Sequence, residues 1–328
     1  MRVLVTGATG FVGSHAVKEL LEHGFEVRLL ARTPDKVPAV LGAVGCQVDD
    51  VVQGDMTNPD DVARALEGCD AVLHCAAEVG VSGGGSVALG SANVSGAQNV
   101  LGLAAEKGLD PIVWTASVSA YLPTDDDVLT LDTPLAEPLS SYGAQKCEIE
   151  RYARQLSDDG KPVVGIVLGG VYGPISPHLD SAFAAVLGGL TMGMMAPPSG
   201  MGLVDVRDVA KALAAALKPG LGPRRYLLTG DYVTWEQWAA LMTEASGQDV
   251  PYTEVSEADM VEMGRQFDEL RASGTTDLPP LSVEAAVIMA AGKPGDDSLA
   301  LQELGITYRP IVETFRDTVD WLRAEGHV

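Results

Sequence analysis

The chain has 328 residues, of which 46% are hydrophobic and 20% are charged, and this composition supports a sizeable folded core rather than general disorder. Asp and Glu number 45 against 22 Lys and Arg, and the resulting charge of −23 repels nucleic-acid phosphates and anionic lipids, so neither nucleic acid nor a membrane is expected as a partner. The 4 cysteines show no CxxC spacing, which argues against a metal site or a disulfide framework and favours reduced thiols in a cytoplasm.

Strand-like and helical patterns alternate through the first half of the chain. The β-rich runs predict strands at Val3–Thr6, Glu26–Ala31, Val48–Gln53, Ala71–His74, Ile112–Thr115 and Val163–Leu168. Apolar residues at helical spacing predict intervening helices at Val12–Glu22, Asp60–Leu66, Val94–Glu106 and Ala144–Leu156. Because parallel strands can be joined only through a crossover, this order predicts βαβ units and an α/β fold with a parallel sheet.

The pattern loosens after Gly169. Further elements are predicted as a helix at Val206–Leu217, a strand at Arg225–Leu228 that rejoins the sheet, and helices at Glu236–Ala245, Glu257–Arg271, Val283–Ala291 and Ile311–Ala324. Residues 1–168, rejoined by residues 203–229, are thus expected to form a dinucleotide-binding core. Residues 169–202 and 230–328 are expected to form a smaller, mainly helical substrate-binding region.

The run Ser181–Val204 contains no charged residue and is long enough to span a bilayer core of about 20 residues. Its glycines and prolines favour loops over a spanning helix, because lipid does not tolerate irregular exposed backbone. We therefore expect this run to form an apolar wall of a pocket.

A glycine-rich turn joins the first predicted strand to the first predicted helix and reads Thr6-Gly7-Ala-Thr-Gly10-Phe11-Val12-Gly13. In such a turn one glycine closes the chain tightly, one lets the backbone approach a pyrophosphate, and one lets helix and strand pack closely. The N–H groups that open the helix would then face the phosphates. A glycine-rich turn is often only a turn, but its place at the start of a βαβ unit predicts a dinucleotide site.

The end of the second predicted strand favours NADP(H), while NAD(H) remains possible. Ala31 stands where an acid would hold a ribose 2′-OH, and Arg32 follows it, with Lys36 close behind. A guanidinium can grip a 2′-phosphate through two hydrogen bonds, although Arg32 could equally stack on adenine with either cofactor. Asp55, after the third strand, could accept a hydrogen bond from the adenine amine or cap the helix that begins near Asn58.

Tyr142 and Lys146 stand four residues apart in a predicted helix, on one face of it. An ammonium group beside a phenol stabilises the phenolate, which suits general acid–base catalysis. Many helices contain such a pair by chance. Its position before the sixth strand of a dinucleotide-binding unit makes a catalytic role the favoured interpretation.

Over nearly its whole length the sequence resembles the extended short-chain dehydrogenase/reductase family. The resemblance rests on the order and spacing of the glycine turn, Gly54-Asp-Met56, His74-Cys-Ala-Ala77, Asn93-Val-Ser-Gly-Ala-Gln-Asn99, Trp114-Thr-Ala-Ser117, Tyr142–Lys146, Val171-Tyr-Gly-Pro174 and Val204-Asp-Val-Arg-Asp208. It implies a Rossmann-type doubly wound parallel sheet, an oxidoreductase acting on a small molecule, and a possible homodimer.

The resemblance also implies catalytic roles. Tyr142 would be the general acid or base, Lys146 would hold the nicotinamide ribose, and Ser117 would polarise the substrate oxygen. Thr115 and Ser119 lie on the same side of the strand as Ser117, which is preferred on its family spacing before the tyrosine.

Further site residues follow from the same resemblance. Asn93 stands where the family keeps an active-site asparagine, and a buried, structurally bonded role fits it equally well. Residues expected to line the cofactor are Met56, Ala76, Ala77 and Val171, together with those of the glycine turn.

Departures from the family pattern bear on the substrate. Sugar-nucleotide epimerases and dehydratases usually carry Arg and then Asn before the Tyr-Gly-Pro turn, where this chain has Val167 and Gly170. The segment from Ala196 to Leu203 is uncharged, and the methionines at 192, 194, 195 and 201 suit either an apolar wall or core packing. These features favour carbonyl reduction as in the dihydroflavonol-reductase and hydroxysteroid-dehydrogenase branches. The alternatives are a sugar-nucleotide epimerase or dehydratase with tightly bound NAD, and a binding-only NADP(H) sensor.

Overall fold

The computed structural model describes residues 1–77, 87–138, 141–179, 181–275 and 281–328. Its strands, in chain order, are β1 Arg2–Thr6, β2 Glu26–Ala31, β3 Val51–Gln53, β4 Ala71–His74, β5 Ile112–Ser117, β6 Val163–Leu168, β7 Gly170–Tyr172, β8 Met194–Ala196, β9 Gly200–Asp205, β10 Arg224–Leu228, β11 Asp231–Thr234 and β12 Tyr252–Glu254. Its helices are α1 Phe11–Glu22, α2 Val37–Ala43, α3 Pro59–Ala65, α4 Val87–Lys107, α5 Ser141–Asp158, α6 Ser181–Met192, α7 Val206–Ala216, α8 Trp235–Ser246, α9 Glu257–Ala272, α10 Val283–Ala291, α11 Ser298–Leu304 and α12 Ile311–Ala324.

A seven-stranded sheet forms the centre of the molecule, in the order β10-β6-β5-β4-β1-β2-β3. Each neighbouring pair is parallel, and β10 joins β6 with Tyr226 opposite Ile166. The chain runs outward from β1 to β3 and then crosses back to β4 on the other side of β1. This reversal is the topological switch point of a doubly wound sheet, so the predicted fold class is confirmed, and ligands of such folds bind at the carboxyl ends of the strands there.

Helices cover both faces of this sheet because its strands alternate apolar side chains above and below. Val3 and Val5 of β1 join one buried cluster, to which α1 and α7 contribute residues such as Leu20. Leu4 points the other way into a second cluster with residues of α4 and α5, among them Leu101. The alternation along β1 thereby holds α1 and α5 on opposite faces of the sheet.

A third apolar cluster lies outside the large sheet and gathers the later part of the chain. Trp238 of α8 and Phe315 of α12 are fully buried in it, with ring centroids 5.5 Å apart in an edge-to-face arrangement. Two small sheets flank this cluster, β11-β9-β7 and β12-β8. This part of the chain is mainly helical, as predicted, and the short strands β7, β8, β9, β11 and β12 are added to its helices.

The uncharged run from Ser181 to Val204 departs from the expected loops, because it contains α6, β8 and part of β9. Its methionines divide between two environments: Met194 is 7% exposed and belongs to the third cluster, whereas Met192 is 63% exposed. Core packing therefore explains Met194. Within the described ranges of the chain, no helix has the length and apolar character needed to cross a membrane.

Two buried carboxylates attach the C-terminal elements to the sheet. Asp205, at the end of β9, accepts hydrogen bonds from both the backbone and the guanidinium of Arg207 and from Thr314 of α12. Asp297, before α11, accepts from the backbone N–H groups of Thr229 and Gly230, at the end of β10. Both carboxylates thus have structural partners.

Candidate functional site

The glycine turn lies at the switch point, between the ends of β1 and β4. Gly7 has φ +78°, and a Cβ on it would meet the Ala76 nitrogen at 2.5 Å, so the turn needs a glycine where the chain after β4 passes. A Cβ on Gly13 would lie 2.1 Å from the Gly7 carbonyl oxygen. The contact at Gly7 places Ala76 directly beside the turn, and Ala77 follows Ala76 in the chain.

Helix α1 starts immediately after the turn. Gly10 occupies its N-cap in an extended conformation, and among the described residues no side chain caps this end. The backbone N–H of Ser14 donates to the Gly10 carbonyl, so the helical bonds begin after Phe11, Val12 and Gly13. A helix end of this kind presents backbone N–H groups and a partial positive charge to an anion.

Thr6 closes β1 beneath the turn and binds a buried histidine. Its Oγ1 lies 2.7 Å from Nδ1 of His74, the last residue of β4. Burial, assisted by the positive charge of Lys146, lowers the pKa of His74 to about 3. His74 is therefore a neutral hydrogen-bonding group between the glycine turn and the neighbourhood of Lys146.

The residues expected around the adenosine end lie where the strands β2 and β3 finish. Arg32 follows β2 directly, and Lys36 ends a short 3₁₀ turn that comes next; both are exposed. Asp55 Oδ1 accepts from the backbone N–H and hydroxyl of Thr57, and the cap of α3 is Asn58. The alternative of Asp55 as the helix cap is therefore wrong.

Met56 is tied to α4 through its backbone. The amide Nδ2 of Asn99 donates a 3.0 Å hydrogen bond to the Met56 carbonyl oxygen. This bond fixes the loop after β3 against the helix that also carries Asn93. Val171 lies in β7 and packs, half-buried, between the first and third clusters. Of the residues expected to line the cofactor, Val171 is the farthest from the glycine turn along the chain.

The hydroxyl of Ser117 lies at the carboxyl end of β5. Its Oγ accepts a 2.9 Å hydrogen bond from the Ser119 hydroxyl and a 3.2 Å bond from the Ser119 backbone N–H. Thr115, two residues earlier, directs its hydroxyl towards the His74 carbonyl oxygen at 3.5 Å. Strand alternation placed the hydroxyls of Thr115, Ser117 and Ser119 on the same side of the strand. Their hydrogen-bond partners in the structure now distinguish them.

Helix α5 carries both predicted acid–base residues on one face. The Lys146 ammonium nitrogen lies 5.4 Å from the centroid of the Tyr142 ring, and Lys146 is only 7% exposed. One turn further along, Glu150 is buried and accepts hydrogen bonds from Tyr121 and Arg154. Tyr121 follows Ser119 closely in the chain, so this network joins the end of β5 to α5.

Asn93 reaches the same helix from α4. It is 3% exposed, and its Nδ2 donates a 3.0 Å hydrogen bond to Oε1 of Gln145, the residue before Lys146. Sequence reasoning did not identify Gln145 as part of the site. Its place inside the motif Tyr142–Lys146 was the only available signal, because the contact joins residues 52 positions apart.

A partly open cleft adjoins these residues. One wall is built from Ser119, Leu122, Pro138 and Gly143, and the other from Glu284, Val287 and Ile288 of α10. The contribution of α10 could not be foreseen, since the helix is more than 130 residues away along the chain from Gly143. Residues 276–280, between α9 and α10, lie outside the described residues.

The doubly wound sheet and the glycine turn at its switch point are those of dinucleotide-binding α/β proteins. A family model described as the NAD dependent epimerase/dehydratase family matches residues 3–228, and the chain belongs to that family. The resemblance to extended short-chain dehydrogenases/reductases is thereby confirmed, and the protein is an NAD(P)-dependent oxidoreductase.

Similar proteins span the whole chain. A putative dihydroflavonol 4-reductase of Synechocystis sp. is 27% identical over 99% of this chain and 95% of its own. Sterol demethylase protein B of Methylococcus capsulatus is 26% identical over 100% of both chains. Among solved structures, MoeE5 in complex with UDP-glucose and NAD superposes with a TM-score of 0.75, at 23% identity and 99% coverage of both chains, a likeness that concerns the fold.

Proposed function

We propose that this protein reduces a carbonyl group of a small, largely apolar substrate at the expense of NADPH, or catalyses the reverse oxidation of a secondary alcohol. When bound, the reduced nicotinamide supplies the hydride that is added to the carbonyl carbon. Tyr142 donates its hydroxyl proton to the carbonyl oxygen, which becomes the alcohol. Lys146 stabilises the phenolate that remains, and Ser117 donates a hydrogen bond to the same oxygen.

The observation that carries this proposal is the buried Lys146 ammonium beside the Tyr142 ring. A binding-only sensor has no need to hold a cation against a phenol at the edge of a cleft. Ser117, at the carboxyl end of β5, supports the same interpretation, since its Oγ accepts a hydrogen bond from the Ser119 hydroxyl. With that hydrogen bond accepted, the Ser117 hydroxyl proton can be directed towards a substrate oxygen.

The proposed preference for NADP(H) rests on Arg32 and Lys36. Both follow the end of β2, which pairs with β1 beside the glycine turn, with Leu30 opposite Thr6. Ala31 in the place of an acid, followed by the cations Arg32 and Lys36, favours a 2′-phosphate in a protein whose overall charge of −23 would otherwise repel it. Asp55 is proposed to face the adenine, because its Oδ1 is committed to Thr57 and its loop is held to α4.

A sugar-nucleotide epimerase or dehydratase is the second candidate, favoured by the likeness in fold to MoeE5, whose structure holds UDP-glucose and NAD. The described walls of the cleft argue against it, because they include no Lys or Arg to pair with a diphosphate. The dihydroflavonol-reductase and sterol-demethylase names of the full-length relatives agree better with an apolar substrate.

The test begins with nucleotide-stripped protein titrated with NADPH and NADH, followed by fluorescence, for wild type, Arg32→Ala and the control Arg316→Ala, which removes an exposed arginine on α12. We expect tight NADPH binding that weakens about 10- to 100-fold towards the NADH value only in Arg32→Ala. Equal affinity for both nucleotides in wild type would remove the argument from Arg32.

Oxidation of NADPH is then measured with aryl and alkyl ketones. Tyr142→Phe should lower kcat by about 10²- to 10⁴-fold while leaving NADPH affinity unchanged. Tyr252→Phe is the matched control, since that hydroxyl bonds the Ala196 carbonyl, outside the site. A bound NAD that cannot be stripped without unfolding, with no net oxidation of NADPH, would favour the epimerase instead.

A further inference from the structure

We propose that Glu150 is a positioning residue: its carboxylate holds the turn after β5, which begins at Ser117, at a fixed distance from the acid–base pair on α5. This inference rests on the proposed carbonyl reduction, because the groups whose spacing it fixes are those that would contact the substrate oxygen. Glu150 is 1% exposed, so it would act through its neighbours rather than by touching a substrate.

Glu150 lies on the same side of α5 as the acid–base pair. Tyr142, Lys146 and Glu150 follow one another at intervals of four residues, which places them on successive turns of the helix. Lys146 and Glu150 are both buried, whereas Glu148 and Arg151 are exposed. Because α5 is continuous through these turns, whatever fixes Glu150 also fixes the acid–base pair.

A buried tyrosine connects Glu150 to the turn after β5. The Tyr121 hydroxyl donates a 2.9 Å hydrogen bond to Oε1 of Glu150. Tyr121 follows the short 3₁₀ turn Val118–Ala120, whose N-cap is Ser117. Burial, together with the charge of Glu150, raises the pKa of Tyr121 to about 12, so the hydroxyl keeps its proton and remains the donor. This bond therefore attaches the turn that begins at Ser117 to α5.

Two arginines contact the same carboxylate oxygen. Arg154 Nε donates to Oε1 at 2.9 Å, and Arg154 Nη2 donates to the Tyr121 hydroxyl at 3.0 Å. Arg225 of β10 forms an ion pair with Oε1 at 3.6 Å, and its Nη2 donates to the Leu131 carbonyl oxygen at 3.1 Å. The position of the Glu150 carboxylate is thus determined by α5, by β10 and by the turn after β5.

A weaker contact joins the same turn to α5. The Cys147 thiol lies 3.4 Å from the Ala120 carbonyl oxygen, and a thiol is a poor donor. The bond from Tyr121 ends on a carboxylate and is therefore the stronger attachment. In the middle of the turn, Ser119 lines the cleft and donates its hydroxyl to Ser117. Movement of the turn away from α5 would thus displace Ser117 and one wall of the cleft together.

Stability alone gives little reason for a buried carboxylate at this position. The loss of water around a carboxylate and a guanidinium offsets most of their attraction, and apolar side chains often stabilise such a place equally well. The hydrogen bonds of the carboxylate, in contrast, are short and directed, so they fix one element against another. Because a misplacement of about 1 Å at the reacting groups costs about 100-fold in rate, we expect loss of one of these bonds to lower kcat by about 10-fold.

Tyr121→Phe tests the attachment, with Tyr226→Phe as its matched control. Tyr226 is also buried, and its hydroxyl donates to Glu303 at 2.7 Å, but its ring belongs to the first cluster, on the face of the sheet opposite to α5. Both variants should lose similar stability to urea. Only Tyr121→Phe should lower kcat for the reduction of benzylacetone by NADPH, by about 10-fold, with KM for the ketone and NADPH affinity nearly unchanged. Equal kcat values in the two variants would overturn the inference.

Glu150 itself is tested by a double-mutant cycle with Tyr121. Glu150→Ala should lower kcat at least as much as Tyr121→Phe, and the combined variant should be no slower than Glu150→Ala, because the hydroxyl acts through the carboxylate. Glu150→Gln keeps an oxygen that accepts from Tyr121 and should retain most of the wild-type kcat. Losses that multiply in the combined variant, or a Glu150→Gln protein as slow as Tyr121→Phe, would contradict the assignment. If Glu150→Ala does not fold, Glu150→Gln and Tyr121→Phe decide the question.

Hydrogen exchange separates this inference from the proposed function. The backbone N–H of Ser119 donates to Ser117 Oγ, and that of Tyr121 donates to a carbonyl oxygen of the same turn, so their exchange measures opening of the turn. Exchange at both should be about 10-fold faster in Tyr121→Phe and unchanged in the control variant. If wild type reduces no ketone, this difference still supports the attachment, and only the proposed reaction fails. Unchanged exchange in Tyr121→Phe would overturn the inference even if reduction occurs.

Discussion

The Asn93 amide donates a 3.0 Å hydrogen bond to Oε1 of Gln145, and so connects α4 to the turn of α5 between Tyr142 and Lys146. Asn93 is 3% exposed, so this bond lies within the buried contact between the two helices. The sequence left two roles open for Asn93, an active-site asparagine and a buried, structurally bonded residue. The hydrogen bond to Gln145 favours the second role.

Replacing Asn93 by Ala should lower kcat by roughly 10-fold and leave NADPH affinity nearly unchanged, because a loss of the bond to Gln145 loosens the helix turn that carries Tyr142 and Lys146. Asn99→Ala is the comparison on the same helix. Its partner is the Met56 carbonyl, so it should weaken cofactor binding and affect kcat less. Steady-state kinetics with fluorescence titration separate the two. Equal effects of both substitutions on kcat would contradict this assignment.

A Gly13→Ala substitution should destabilise the protein by a few kcal/mol and weaken dinucleotide binding by at least about 10-fold. The new Cβ would lie 2.1 Å from the Gly7 carbonyl oxygen, a backbone atom of the turn itself, so the turn must move. Gly42→Ala in α2 is the control, since nothing lies within 4 Å of a Cβ there. That variant should gain about 0.5–1 kcal/mol from the better helix propensity of alanine. Urea denaturation and NADPH titration measure both effects.

Acid should destabilise the protein partly through His74. Its pKa is about 3 in the fold and 6.5 in the unfolded chain, so unfolding takes up a proton between these pH values. The stabilisation from neutral His74 is fully present above about pH 6.5. As the pH falls below this value, the free energy of unfolding decreases, with a slope that approaches about 1.4 kcal/mol per pH unit for one such group. His15, whose pKa is also lowered by burial, acts in the same direction.

Urea denaturation at pH 7 and pH 5 tests this directly. The contribution of His74 to the loss of unfolding free energy over that range is about 2 kcal/mol, and it should be absent from His74→Asn. The variant starts from a lower stability at pH 7, because the contact with Thr6 changes. The informative quantity is therefore the difference between the two pH values. A wild-type loss that persists unchanged in His74→Asn would place the acid sensitivity elsewhere.

Asp297→Ala should destabilise the protein by about 2–4 kcal/mol, because it leaves the backbone N–H groups of Thr229 and Gly230 without their buried acceptor. The Tyr308 hydroxyl also donates to this carboxylate, at 2.5 Å. Asp296→Ala, one residue earlier, removes an exposed carboxylate that accepts only from Ser298 among the described bonds, and should cost less than about 1 kcal/mol. Thermal and urea unfolding compare the pair, and equal losses would refute the role given to Asp297.

Much of the architecture is a direct consequence of local pattern. The strands Glu26–Ala31, Ala71–His74 and Val163–Leu168 and the helices Val283–Ala291 and Ile311–Ala324 begin and end at the predicted residues. These segments have strong apolar periodicity and clear boundaries. Helix α4 begins seven residues before the predicted Val94, in a stretch of small residues where the apolar period is weak.

The later sheets were missed for a related reason. β7, β8 and β12 have three residues each, too short for an alternating pattern to identify them. The glycines and prolines of the run 181–204 favoured loops, yet the buried surroundings of the third cluster support α6 and β9 there. Tertiary packing overrode the local preference in that region.

The sequence by itself determined the doubly wound sheet, the glycine turn, the Tyr142–Lys146 pair and the family, because each depends on residues close together in the chain or on the order of motifs along it. Only the tertiary structure decided that Asn93 bonds Gln145, that His74 is a buried neutral group between Thr6 and Lys146, and that α10 brings Glu284 to the cleft. Those relationships join distant segments, and their geometry arises from how the helices pack on the sheet, which no local pattern of residues encodes.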